Sequence, residues 1–311
     1  MRYTSFVRPL AERLLPIEWG KISPLRLKAR ILAEGIYSGS HRSTRRGAGV
    51  EFGGHREYVP GDDLRFLDRR SLLRHDKLMI REFETDTERA LWLCLDASAS
   101  MAFRGEGAPG AKLAYASLLA AALTRIAIAA QDPVGLVWFG GANARDLPPS
   151  AGAPAFERVV NSCETVSASG AMRTDRAALE QATRLLGRRA RRGSIIILFS
   201  DLLDLADQSE IIVAALAARG RALVVVQVLD EVERELRFDG KVRLMALEGK
   251  AMVETDADAV RAQYKKRLAA HLGKWRAAVE REGGRLISCV SADDAVGVMR
   301  RIVEAVMEAR R

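Results

Sequence analysis

Between Ala90 and Leu229 the chain alternates short, unbroken apolar runs with longer segments of helical period. The runs are ALWLCL (90–95), PVGLVWF (133–139), SIIILFS (194–200) and ALVVVQVL (222–229). Helical segments lie at 111–130, near 155–163, from 175 to about 189, and at 208–218. A strand that is apolar at every position is buried on both faces, as in a sheet covered by helices on each side. The pattern predicts an α/β domain built on a doubly wound, mainly parallel sheet.

Beyond Asp230 the pattern changes. RLMALEGKAMVE (243–254) reads as a hairpin turning at Glu248-Gly249. A helix from about 256 to 282 carries Tyr264, Leu268, Leu272, Trp275 and Val279 on one stripe. RLISCV (285–290) makes another strand, and Ser291 starts a last helix with Asp294 three residues on, close to a capping box. This tail is expected to extend the same sheet. Residues 1–89 hold a basic helical segment (about 24–37), a glycine-rich stretch, and KLMIREFET (77–85), which alternates like a half-exposed strand. The expected division is an appended, irregular subdomain over 1–89 and a main domain over 90–311. The hairpin and helix extension of the main domain starts at about 231.

Composition changes this picture little. The chain has 311 residues, 48% hydrophobic and 29% charged, as in a soluble globular protein. Cys94, Cys163 and Cys289 are far apart and make no Cys-x-x-Cys pair, which points to a reducing, cytoplasmic compartment rather than a disulfide framework. The N-terminus lacks the apolar core of a signal peptide. The most apolar helix, 111–130, carries Lys112, Thr124 and Arg125, so it is expected to pack inside a soluble domain rather than span a membrane.

The net charge of +9 raises the question of nucleic acid. Basic and acidic side chains number 18 and 13 over 1–90, 14 and 13 over 91–230, and 17 and 14 beyond, so the excess is spread rather than gathered in an arm. Only Arg188, Arg189, Arg191 and Arg192 cluster, at a helix end where cations complement the helix dipole, and no aromatic residues interleave with them. No nucleic-acid partner is expected. The four histidines, His41, His55, His75 and His271, have no ligand spacing.

In a doubly wound sheet, ligands gather beyond the carboxyl ends of the strands. Asp96 closes one strand and begins Asp96-Ala97-Ser98-Ala99-Ser100; Ser200-Asp201 close another. Thr174-Asp175 sit in a loop entering a helix, where Asp175 suits the helix dipole. One rim would then offer Asp96, Ser98, Ser100, Thr174 and Asp201: all oxygens, suited to a hard cation such as Mg²⁺ or Mn²⁺. Were the hydroxyls to bind directly and the carboxylates largely through water, the ion would stay incompletely neutralised. It would then attract a carboxylate from a partner protein. The competing local account is a helix-initiating turn, since Ser and Asp cap helices.

Enzyme readings are weaker. Ser98 stands where a haloacid dehalogenase-type phosphatase needs a second aspartate, GEGAPGAK (105–112) lacks Gly-Lys-Ser/Thr, and there is no Gly-x-Ser-x-Gly. A Mg²⁺-dependent phosphotransfer or hydrolytic enzyme using Asp96 and Asp201 is the alternative.

Asp-x-Ser-x-Ser, a later Thr and a strand-terminal Asp resemble the metal-ion-dependent adhesion site of von Willebrand factor A domains. Upstream, Tyr58, Pro60, Gly61, Asp62, Asp63, Arg65 and Asp68 resemble the signature of the bacterial domain-of-unknown-function family 58, with Arg69 in place of the usual tryptophan. The resemblance covers roughly 25–305. It implies a von Willebrand A-like fold and a non-enzymatic interaction module, with a metal held by Asp96, Ser98, Ser100, Thr174 and Asp201. It also implies work as an adaptor with a MoxR-type AAA+ ATPase. Tyr58, Asp62, Asp63, Arg65 and Asp68 read as a structural turn or a second interaction motif.

Overall fold

In a computed structural model that describes residues 16–39, 51–57, 79–84, 89–170, 176–203, 209–247 and 252–309, the apolar runs pair into one six-stranded sheet. Its strands are β3 (Leu91–Asp96), β4 (Val134–Phe139), β5 (Leu147–Ser150), β6 (Ile195–Ser200), β7 (Ala222–Leu229) and β10 (Arg285–Val290). The order across is β10-β7-β6-β3-β4-β5, parallel throughout except for β5, which runs antiparallel to β4. The chain starts at the centre, builds outward through β4 and β5, then returns to the other side of β3. Such a reversal opens a crevice between the carboxyl ends of β3 and β6.

β5 has the sequence LPPS, which carries no strand signal. Proline cannot donate to a ladder and is tolerated at a sheet edge, where β5 lies. It pairs with β4 only at Val134↔Ser150 and Leu136↔Leu147.

Every residue of β3, β4 and β6 is buried, as their unbroken apolarity requires. Alternation of side chains divides the core. Leu91, Leu93 and Leu95 face a layer formed by α1 (Leu25–Gly39), α2 (Lys112–Ala129), α3 (Ala153–Thr165) and α8 (Ala295–Ala309). Trp92 and Cys94 face α4 (Arg176–Arg189), α5 (Ser209–Ala217) and α7 (Ala257–Arg281). Gly135, paired with Trp92, leaves room for the indole; a Cβ there would lie 2.7 Å from its ring.

By length and composition α2 could cross a bilayer, but 78% of it is buried within the protein, against the sheet and α1, α3 and α8. Its alanines allow that close packing. The stripe foreseen on α7 deepens along the helix, from partly buried Tyr264, Leu268 and Leu272 to fully buried Trp275 and Val279.

The tail does not extend the sheet as a whole. β10 joins it beside β7, whereas β8 (Lys241–Met245) and β9 (Met252–Asp256) form a separate antiparallel pair. The turn expected at Glu248-Gly249 lies outside the described residues. The last helix begins later than Ser291: Asp294 caps it, accepting from the N–H groups of Val296 and Gly297 at 3.3 and 2.9 Å. The strand expected at 77–85 is β2 (Met79–Glu84), antiparallel to β1 (Glu51–Glu57).

Candidate functional site

The register of β3 and β6 builds the site. Leu95 pairs with Phe199, so the next residues, Asp96 and Ser200, emerge side by side at the carboxyl edge. Ser200 Oγ donates to Asp96 Oδ2 at 2.6 Å, and the Ser98 N–H donates to Asp96 Oδ1 at 2.8 Å. The second bond folds the chain back after β3, and a 3₁₀ turn (Ala99–Ala102) follows. Ser98 Oγ and Ser100 Oγ then lie 3.1 Å apart, and the Ser100 hydroxyl also hydrogen-bonds Asp201. Asp96, Ser98, Ser100 and Asp201 therefore share one hydrogen-bonded cluster, with Asp96, Ser98 and Asp201 buried.

Both turns are held by their surroundings. Ala97 N–H donates to Phe139 O, Ser169 N–H to Ala97 O, and Ala99 N–H to Gly170 O, at 2.8–3.0 Å. Residues 169–170, which precede Thr174 in the chain, are thus tied to Ala97 and Ala99 on either side of Ser98. Thr174 itself lies outside the described residues, as do Asp175 and the set Tyr58, Asp62, Asp63, Arg65 and Asp68. After Asp201, Leu202 adopts φ +61°. Its N–H donates to Ser200 Oγ, and its carbonyl accepts from Trp275 Nε1 at 3.1 Å and meets His271 Nε2 at 2.6 Å. That unfavourable backbone is fixed from three sides.

Two residues that sequence reasoning missed complete the cluster. Lys112, in the first turn of α2, is fully buried, and its Nζ donates to Asp201 Oδ2 at 2.8 Å and Glu233 Oε1 at 2.7 Å. Glu233 sits in the short helix α6 (Glu231–Glu235), where its other oxygen accepts from the Asp230 N–H in a capping box. Asp230 also receives the Gly105 N–H at 2.9 Å; a Cβ on Gly105 would fall 2.1 Å from Asp230 Oδ1. The sequence held two signals: a lone lysine opening an alanine-rich helix, and Asp-x-x-Glu directly after a buried strand.

The charges are unevenly matched. Burial, then repulsion from Asp201, pushes the Asp96 carboxyl up to about 6, against the bonds from Ser200 and Ser98. Burial acts on Asp201 in the same sense. There the Lys112 ammonium, with the Ser100 hydroxyl and the Leu203 N–H, prevails and holds it below the ordinary carboxylate range. Burial raises Glu233 despite Lys112, while its two carboxylate partners raise Lys112 despite burial. Asp201 and Glu233 thus share one ammonium, and Asp96 beside them has only hydroxyl and N–H partners, leaving carboxylate in excess around two serine hydroxyls.

That donor set fits a hard divalent cation: Asp96, Ser98, Ser100 and Asp201 supply oxygen alone. Among the described residues no group of three or more His, Cys, Asp or Glu side chains forms a metal cluster, so hydroxyls must provide part of any coordination.

At the opposite end of the sheet, Arg188, Arg191, Arg192 and Arg219 surround a depression of about 480 Å³. Arg188 and Arg189 lie in the last turn of α4, and Arg219 donates to Gly187 O at 2.8 Å, so these cations serve a helix end.

A family model described as "Protein of unknown function DUF58" matches residues 54–274. The uncharacterized protein Rv1480 of Mycobacterium tuberculosis is 28% identical over 281 residues, 90% of this chain and 86% of that protein. Among solved structures, BatB from Bacteroides thetaiotaomicron superposes with a TM-score of 0.44 at 16% identity, over 71% of this chain and 98% of that one. The SpRpn10 VWA domain gives 0.39 at 11% identity, over 69% and 94%.

Proposed function

This chain belongs to the DUF58 family, and from that premise we propose that it is a non-enzymatic protein-interaction module whose von Willebrand A-like domain binds a partner through a divalent metal. The observation that carries the reading is the convergence of Asp96, Ser98, Ser100 and Asp201 at the crevice between β3 and β6, with negative charge in excess of Lys112. Mg²⁺ or Mn²⁺ held there by those oxygens, and by Thr174, would act as a Lewis-acidic anchor for a carboxylate of the partner. The protein's own groups position that anchor. Ser200 and the Ser98 N–H orient Asp96, Ser100 and Lys112 orient Asp201, and the pinned backbone at Ala97, Ala99 and Leu202 keeps the rim from relaxing.

Lys112 gives this site a particular character. Its ammonium already neutralises Asp201, so a dication must compete with a tethered charge. Metal occupancy is then conditional, strengthened when a partner adds a further carboxylate. A MoxR-type AAA+ ATPase is the partner class that family resemblance suggests, with the chain as a cytoplasmic adaptor.

The test is binding of a purified MoxR-type ATPase from the same organism to the immobilised full chain, wild type and Asp96→Ala, in Mg²⁺ and in chelator. Because the ATPase's own nucleotide needs Mg²⁺, the Asp96→Ala arm decides. Loss of binding in that variant supports the reading, and undiminished binding refutes it.

A further inference from the structure

Directly beside the metal rim lies a groove of about 640 Å³ between α6, the start of α7 and the β8–β9 hairpin. Ser100 lines one end, so the groove opens into the candidate site. Its walls are otherwise mostly apolar: Phe103, Leu236, Phe238, Leu244 and Val253 contribute, with Tyr264 along the base. The volume falls within the range of sites that bury most of a bound group.

The groove is pre-formed. Tyr264 Oη donates to Glu233 O at 2.6 Å, and Arg261 donates to Leu236 O and Phe238 O at 3.2 and 2.6 Å. Three carbonyls between Glu233 and Phe238 are thus fixed by side chains of α7, and ligand binding need not order them. On the rim, Met245 is 45% and Val253 57% exposed, apolar area that a monomer gains nothing by presenting to water.

We propose that this groove is the second half of the docking site. Its occupant is a protein segment in which an acidic side chain is followed within a few residues by apolar ones. The acidic side chain goes to the rim and the apolar ones go to the groove. Charge selects the occupant's sign: of the charged lining residues, Glu233 is bound to Lys112, whereas exposed Arg267 has no ion-pair partner among the described residues. A second carboxylate on the segment would meet Arg267. Main-chain chemistry selects a polypeptide over a lipid. β8 and β9 pair only with each other among the described residues, so their outer edges offer backbone donors and acceptors to an added strand.

The proposal rests on the metal reading for the destination of the acidic residue; the groove stands apart from it. The test is selection of a random phage-displayed peptide library on the full chain in Mg²⁺. Fluorescence anisotropy of an enriched synthetic peptide against wild type, Val253→Asp and Asp96→Ala follows. Val253 is exposed, so Val253→Asp should melt like wild type, and a matching melting curve is required before its binding is interpreted. The expected result is peptides joining one acidic residue to two or more apolar ones, bound at least about tenfold more weakly by Val253→Asp.

Undiminished binding to Val253→Asp, acidic peptides without apolar neighbours, or no enrichment would overturn the groove. So would a co-purifying lipid, or a homodimer, that is lost in Val253→Asp, since the occupant would then be another. Weakening by Val253→Asp with indifference to Asp96→Ala and chelator would keep the groove and sink the metal reading.

Discussion

Replacing Lys112 by methionine removes the ammonium between Asp201 and Glu233 while keeping an unbranched stem of similar length, so little cavity results. The lysine side chain is 0% exposed and its partners 4% and 17%, with bonds of 2.8 and 2.7 Å. Removing one member of a buried ion pair leaves an uncompensated charge and costs about 3–5 kcal/mol. In a domain of this size that lowers the melting temperature by roughly 10 °C.

The proposed metal site adds a second expectation. In chelator the variant should show the whole loss. In excess Mg²⁺ the gap to wild type should narrow, because the dication takes over neutralisation of Asp201; a ligand at a hundredfold its Kd stabilises by about 2.7 kcal/mol. Lys112→Met/Asp201→Asn should recover part of the loss without metal, since the stranded charge is gone. The assay is calorimetric melting of all three proteins in both buffers. Wild-type stability of Lys112→Met in chelator would refute the buried charge argument, and an equal deficit in both buffers would refute the competition with metal.

Other outcomes follow from the same geometry. Asp96 has its carboxyl raised to about 6, so in metal-free protein its contribution to stability is complete below about 4. That contribution is lost as pH rises through 6, a change of about 3 kcal/mol; melting in chelator between pH 4 and 7 should show the decline and Mg²⁺ should suppress it. Gly105→Ala drives a Cβ to 2.1 Å from Asp230 Oδ1 and should cost about 1–3 kcal/mol by displacing the α6 cap, measured by urea denaturation. Asp294→Ala removes the acceptor for two N–H groups at the start of α8 and should cost about 1 kcal/mol in the same assay. Ser98→Ala/Ser100→Ala should weaken Mn²⁺ binding and also lower the chelator-treated melting temperature by a few degrees, because these hydroxyls bond the buried carboxylates of Asp96 and Asp201 as well as each other.

The central sheet was legible because burial on both faces leaves few polar positions: β3, β4, β6 and β7 are written as largely apolar runs, and in β3 and β6 the first polar residue marks the carboxyl end. Asp96 and Asp201 could therefore be placed on one rim before any pairing was known. β5 was not legible, since two of its four residues are prolines and its strand character comes from β4 alone. Lys112 read as a charge that kept a helix out of the membrane. Its role depends on Glu233, which follows at a distance of 121 residues, and no local pattern connects the two. The hairpin misled for a related reason: alternation predicts a strand but does not say which sheet receives it.

Isothermal titration of Mn²⁺ into the full chain, wild type and Asp96→Ala, addresses the central claim most directly. The account predicts one ion per wild-type chain, bound more weakly as pH falls below about 6 and lost in Asp96→Ala. A wild-type chain that takes up no ion, or an Asp96→Ala variant that takes it up equally well, would contradict it.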